Sequence, residues 1–229
     1  MSKFDTIVLD GNSLTRAQLV AVARHGSKVS LDPAGLKRVQ RAADFLAEKV
    51  SCGEPTYGVT TGFGSNADKL LGAHRLRDEL PGAALIKDGP HQPEGSLLEE
   101  LQHNLIITHA VCVGKPFGAD VVRAMLVIRI NTLMRGHSGI RVGTLEALTA
   151  MLNAGVVPVV PEKGSVGASG DLAPLSHLAI VLLGGGEAFY QGERMAGAEA
   201  LKRAGLAPIR LSFKEGLALN NGTAQMLAT

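Results

Sequence analysis

At Gly164 to His177 the chain reads GSVGASGDLAPLSH, a glycine-rich loop that runs straight into an apolar helix. Glycines at 164, 167 and 170 permit backbone bends that other residues resist. Asp171 and Pro174 mark the start of the helix, which is apolar on all sides. A helix with no polar face has to be buried on every side. The loop is therefore fixed to the middle of a folded body, and the other elements have to be arranged around it.

Composition bounds that body. The chain has 229 residues, 45% hydrophobic and 19% charged, which suits a packed core and excludes a disordered chain. At roughly 150 residues per domain this is one large domain or two small ones. The net charge is +2, no basic block stands out, and aromatics are 3% with no Trp, so no nucleic-acid partner is expected. Two cysteines, Cys52 and Cys112, form no disulfide framework and fit a reducing, cytoplasmic setting. The N-terminus, MSKFDTIVLDG, lacks the apolar core of a signal peptide, and no apolar run reaches the roughly 18 residues of a membrane span.

The fold class expected is mainly α, with a few short strands near the N-terminus and one hairpin. Thr6–Leu9 and Lys28–Leu31 read as strands. Ser13 or Thr15 caps a helix running to about Arg24, and Asp32-Pro33 opens another, with Leu36, Val39, Ala43, Leu46 and Val50 on its buried face. A Gly/Thr-rich loop follows to Asn66, and residues 67–95 read as an irregular insertion. Ser96 caps a helix carrying Leu98, Leu101, Leu105, His109 and Cys112 on one stripe. Further helices are predicted over Asp120–Arg135, Thr144–Asn153 and Ala198–Ala204, with a hairpin turning at Gln191-Gly192. A last helical pattern starts in KEGLALNNGTAQMLAT and has no Pro, Gly or polar tail to end it.

Ala168-Ser169-Gly170 has a specific chemical potential. If the loop bends tightly, the Gly170 nitrogen can attack the Ala168 carbonyl carbon and close a five-membered ring. Loss of two waters, one carrying the Ser169 hydroxyl, leaves an alkene conjugated to an imidazolone, a strong electrophile. Gly leaves the nitrogen unobstructed, Ser supplies the leaving oxygen, and Ala is small. A bare A-S-G is equally a plain turn before a helix, so the tripeptide alone decides nothing.

Its context does. GSVGASGDLAPLSH resembles the signature of the histidine and phenylalanine/tyrosine ammonia-lyase family. So do TYGVTTGFG at Thr56 to Gly64, SGIR at Ser138 to Arg141 and KEGLALNNGT at Lys214 to Thr223, all in the family's order. The resemblance implies the N-terminal part of the ammonia-lyase fold over residues 1–229, with the prosthetic-group loop at 164–177. It implies that Ala168, Ser169 and Gly170 become a 4-methylideneimidazol-5-one group, autocatalytically. That group makes the substrate's nitrogen a better leaving group, a base takes a β-proton, and ammonia leaves an unsaturated acid.

The same resemblance distributes roles. Tyr57 matches the catalytic base, although a phenol titrates near 10 unperturbed and needs help near neutrality. Its plain alternative is a half-buried loop aromatic. Gly64 matches a glycine close to the substrate. Asn221 matches an asparagine that hydrogen-bonds the prosthetic group, while Asn220 departs from the family's apolar residue. Asp171 matches an acid associated with prosthetic-group formation, with helix N-cap as its other role. Thr108-His109 resembles the pair seen in histidine-specific members and points to a polar substrate side chain. The alternative for His109 is a core-facing ring satisfied by a backbone carbonyl. No histidine has metal-ligand spacing, so no metal is expected. Gly114-Lys115-Pro116 is not a P-loop, Gly184-Gly185-Gly186 lacks Rossmann context, and the Ser169 region is no hydrolase elbow.

Two departures are visible. The stretch after Gly64 is longer than in compact members. Family enzymes also carry a C-terminal helical bundle that builds a homotetramer and supplies further active-site residues, and the chain ends before it. The expectation is an ammonia-lyase acting on histidine or a related amino acid, in a chain that is inactive alone. The competing expectations are a non-catalytic fragment or assembly subunit needing a second polypeptide, and an aminomutase using the same group.

Overall fold

The computed structural model describes residues 6–52, 55–62, 97–167 and 169–229. The stretch 67–95 read as an insertion, the predicted cap Ser96, Gly64 and Ala168 lie outside them.

Local signals set the N-terminal elements. β1 (Thr6–Leu9) and β2 (Lys28–Leu31) occupy their predicted ranges and pair in parallel, Thr6 opposite Lys28. Parallel neighbours need a crossover, which α1 (Arg16–His25) provides. Thr15 caps α1 through a reciprocal box: Gln18 N donates to Thr15 Oγ1 at 3.3 Å and Thr15 N to Gln18 Oε1 at 2.8 Å. Asp32 caps α2 (Pro33–Ser51), its carboxylate accepting from Gly35 N at 2.6 Å. Asn153 prolongs the sheet with a side chain, accepting from Val29 N at 2.9 Å and donating to Val29 O at 2.8 Å.

Four helices make the body: α3 (Leu97–His109), α4 (Ala119–Leu133), α5 (Val142–Ala154) and α6 (Leu172–Leu182). α4 packs against α1 and α5, and its Met125, Leu126, Ile130 and Leu133 are fully buried. α6 is enclosed as its sequence requires, with Leu175, Ser176 and Val181 all fully buried. The expected hairpin forms between β6 (Glu187–Tyr190) and β7 (Glu193–Ala196). Gln191 and Gly192 turn it with φ of 51° and 85°, the mirror-image turn that suits twisted strands.

Three strands were not foreseen. β3 (Val113–Pro116) pairs with β5 (Pro161–Lys163), and β4 (Val157–Pro158) adds to β6, giving the order β4-β6-β7. Each is two to four residues long, too short for an alternating pattern, and depends on a partner remote in sequence. α7 (Gly197–Arg203) lies close enough to Gly185 that a Cβ on Gly197 would overlap the Gly185 carbonyl oxygen. The final helical pattern is divided into α8 (Glu215–Asn220) and α9 (Ala224–Ala228) by Asn221-Gly222-Thr223.

α6 is also tied to the start of β3. Cys112 N donates to His177 Nε2 at 3.1 Å, so that ring nitrogen is unprotonated and the neutral ring carries its proton on Nδ1. Burial lowers the His177 pKa below its ordinary 6.5. The unfolded chain then binds the proton first, so this site's contribution is complete above 6.5 and is lost as pH falls through the depressed folded value. Urea unfolding across this range should show stability falling with acid in the wild type. His177→Gln, which keeps a neutral acceptor, should give a shallower slope, and equal slopes would refute the assignment.

Candidate functional site

The site is built where the loop entering α6 meets the break between α8 and α9. α8 is gripped along its length. At its start, Glu215 is fully buried and accepts from Arg141 N at 2.9 Å, Arg141 Nη2 at 2.7 Å and Ser212 N at 2.7 Å. The hydrogen bonds from Arg141 to this carboxylate raise the guanidinium's own pKa. Lys214, in the left-handed region at φ 62°, donates from Nζ to Ser138 O at 2.9 Å. Burial lowers its pKa, with the charge of Arg129 as a smaller cause. Two sequence motifs, Ser138–Arg141 and Lys214–Thr223, are thus one physical unit.

Further along, Gly216 N donates to Gln102 Oε1 at 3.0 Å. Asn220 is fully buried and donates from Nδ2 to Ser176 Oγ at 3.2 Å, which links α8 to α6. This explains the departure from an apolar residue at 220: the facing position on α6 is a buried serine. Asn221 ends α8, its N–H donating to Leu217 O at 3.0 Å.

The loop docks onto this corner. Asp171 N donates to Gly222 O at 2.7 Å. A Cβ added to Gly170 would lie 2.6 Å from Gly222 N and 2.7 Å from Asn221 Oδ1. Only a residue with no side chain fits between α6 and the Asn221-Gly222 turn. Gly170 is buried and Ser169 exposed, so the cradle encloses Gly170 and leaves Ser169 accessible.

Asp171 occupies the N-cap position of α6 but makes no side-chain cap hydrogen bond. Its carboxylate accepts from Ser165 Oγ at 2.7 Å and from Met226 N on α9 at 3.0 Å. The capping alternative is therefore corrected: the 1%-exposed carboxylate fastens the loop on one side and α9 on the other.

Of the remaining predicted residues, Tyr57, Thr108 and His109 lie among those described. Tyr57 lies in a turn where the N–H groups of Val59, Thr60 and Thr61 all point to Thr56 O, and it is 58% exposed rather than half-buried. Thr108 is exposed and donates to Asn104 O at 2.7 Å, back into its own helix. His109 Nδ1 donates to Leu105 O at 2.8 Å, the backbone-satisfied arrangement, which leaves Nε2 as the other ring position. Among the described residues no cluster of three or more His, Cys, Asp or Glu could hold a metal, and no helix is long and apolar enough to cross a membrane.

Sequence reasoning missed Arg129. It lies inside the helix predicted over Asp120–Arg135 and was not singled out there, yet it is 5% exposed and sits directly beneath Gly222. Its spacing carried the signal: Val122, Leu126, Arg129 and Leu133 follow one helical stripe, so Arg129 is on the buried face.

Comparison with known proteins places this geometry. A family model described as aromatic amino acid lyase matches residues 14–229. A histidine ammonia-lyase of Symbiobacterium thermophilum is 50% identical over 218 residues, which is 95% of this chain and 39% of that protein. The structure of the Pantoea agglomerans phenylalanine aminomutase superposes with a TM-score of 0.81 at 38% identity, over 99% of this chain and 39% of that one. The histidine ammonia-lyase of Trypanosoma cruzi gives 0.81 at 36% identity, over 97% and 39%. The chain thus spans about 39% of the length of these relatives and has the architecture of the N-terminal portion of their fold. It belongs to the aromatic amino acid lyase family.

Proposed function

We propose that residues 1–229 form a single N-terminal lyase domain that builds the electrophilic centre of an ammonia-lyase acting on histidine or a related amino acid. The observation that carries this reading is the cradle at Gly170, where Asn221 and Gly222 occupy the space a side chain would need. A residue without a side chain is also what leaves the Gly170 nitrogen unobstructed for attack on the Ala168 carbonyl carbon. The residues present therefore fit a 4-methylideneimidazol-5-one group formed from Ala168, Ser169 and Gly170. Such a group supplies an electrophile that turns the substrate's amino nitrogen into a leaving group.

The chain's own residues prepare the place. Ser169 faces outward, as a leaving hydroxyl needs to. The loop sits at the N-terminus of α6, where unpaired N–H groups favour negative charge. Asn221, whose side-chain amide lies against Gly170, is the proposed hydrogen-bond partner of the group. Asp171 ties the loop to α9 by accepting from Ser165 and Met226. Tyr57 is the proposed base at the β-carbon. Gly64, Thr108 and His109 are the proposed substrate contacts, with His109 Nε2 available to an imidazole. The remaining site residues and a homotetrameric assembly in the cytoplasm are part of the same proposal, since the chain spans 39% of its relatives. An aminomutase is the second reading, favoured by the 38% identity to the phenylalanine aminomutase structure.

Peptide mass spectrometry of the chain should find the segment containing Ala168–Gly170 lighter by two waters, and Ser169→Ala should restore the unmodified mass. An unmodified wild-type peptide would refute ring formation in this chain. Turnover is read by offering histidine, phenylalanine and tyrosine to the chain alone and to the chain with the polypeptide that completes the site. The expected product is the unsaturated acid from histidine, and only from the completed site. A β-amino acid product would select the aminomutase reading.

Gly170→Ala tests the cradle itself. Its Cβ meets backbone atoms that have nowhere to go, so dehydration should be lost. Overpacking there should cost about 1–3 kcal/mol in urea unfolding. A variant that dehydrates and melts like the wild type would show that the close contact is not needed.

A further inference from the structure

Arg129 sits in the middle of α4 with 5% of its surface exposed. Its Nη2 donates to the Ala218 carbonyl. A Cβ on Gly222 would overlap its Nη1, so the guanidinium lies against the backbone of the turn. Its Nε has no hydrogen-bond partner, and among the described residues no carboxylate pairs with it. Burial alone pushes its pKa down to about 10, which still leaves it charged near neutrality. Lys214 is close enough to feel that charge and is itself a cation.

A buried, uncompensated guanidinium is a costly choice for a position on an apolar stripe, where Leu or Met would pack without penalty. What Arg129 touches explains its presence. It grips the Ala218 carbonyl inside α8 and fills the space behind Gly222. Gly222 in turn accepts from Asp171 N and packs against Gly170, leaving no room for a side chain there. We propose that Arg129 is a positioning residue: from beneath, it holds the Ala218–Gly222 corner so that Asn221 and Gly222 stay packed against Gly170 and Gly222 O stays bonded to Asp171 N. The claim about geometry stands on these contacts, and its consequence for ring formation rests on the function proposed above.

The test separates the two. Hydrogen exchange of the Asp171 amide reports the Gly222 contact directly, and the amides of β1 and β2 serve as the folding control. In Arg129→Met, which keeps the apolar stem without the charged fork, exchange at Asp171 should speed by about tenfold or more while β1 and β2 stay protected. The two-water loss should fall with it. Arg129→Lys, which keeps a buried cation able to reach a carbonyl, should recover part of both signals. Should Arg129→Met fail to fold, Gly222→Ala decides: it pushes the guanidinium aside and should deprotect Asp171 while sparing β1 and β2. Unchanged protection at Asp171 in whichever variant folds, or no recovery by lysine over methionine, overturns the proposal. A wild-type peptide of unmodified mass would instead remove the ring chemistry and leave the exchange result to decide the positioning claim.

Discussion

One contact organises the molecule: the backbone hydrogen bond from Asp171 N to Gly222 O, with Gly170 wedged beside it. It joins the entrance of the most enclosed helix to a break between two short ones. Neither partner is stable without its surroundings. A six-residue helix such as α8 does not persist in water, because nucleation is costly and few hydrogen bonds follow. It persists here because Glu215, Gly216, Ala218 and Asn220 each have a partner on another element. The loop at 164–170 likewise depends on the Asp171 carboxylate, since Val166 beside it is 89% exposed and contributes little burial.

The polar groups inside this region are therefore structural in a particular sense. Glu215 is repaid by three donors, one of them the half-exposed guanidinium of Arg141. Asn220 and Ser176 satisfy each other only in part, and Asn220 Oδ1 has no partner among the described residues. Gln102 accepts from Gly216 while its Nε2 has none. An apolar core would hold α8 in many registers of similar energy. Directional polar contacts select one, at some cost in stability.

Much of the fold was legible in the sequence because its signals are local. Asp32-Pro33, Thr15 with Gln18, and Gln191-Gly192 each mark a boundary through groups within three residues of one another. The parallel pairing of β1 with β2, and strands β3 to β5, depend on partners far along the chain and left no local trace. At the site, the glycine at 170 and the asparagine at 221 were legible through their motifs. The use of Asp171 was not, because a capping carboxylate and a bridging one read identically in sequence. Arg129 was legible in principle from its helical phase, which puts it on the buried stripe of its helix with Val122, Leu126 and Leu133.

The bridge from Asp171 to Met226 also has a consequence in time. Its two ends are 55 residues apart, and the bond cannot form until Met226 has been made. During synthesis from the N-terminus, α1 to α6 can assemble while the loop before α6 remains unfastened on one side. The close packing around Gly170 arrives only with the segment carrying Asn221, Gly222 and Met226. The loop thus takes up its docked conformation only once the surrounding body exists to hold it.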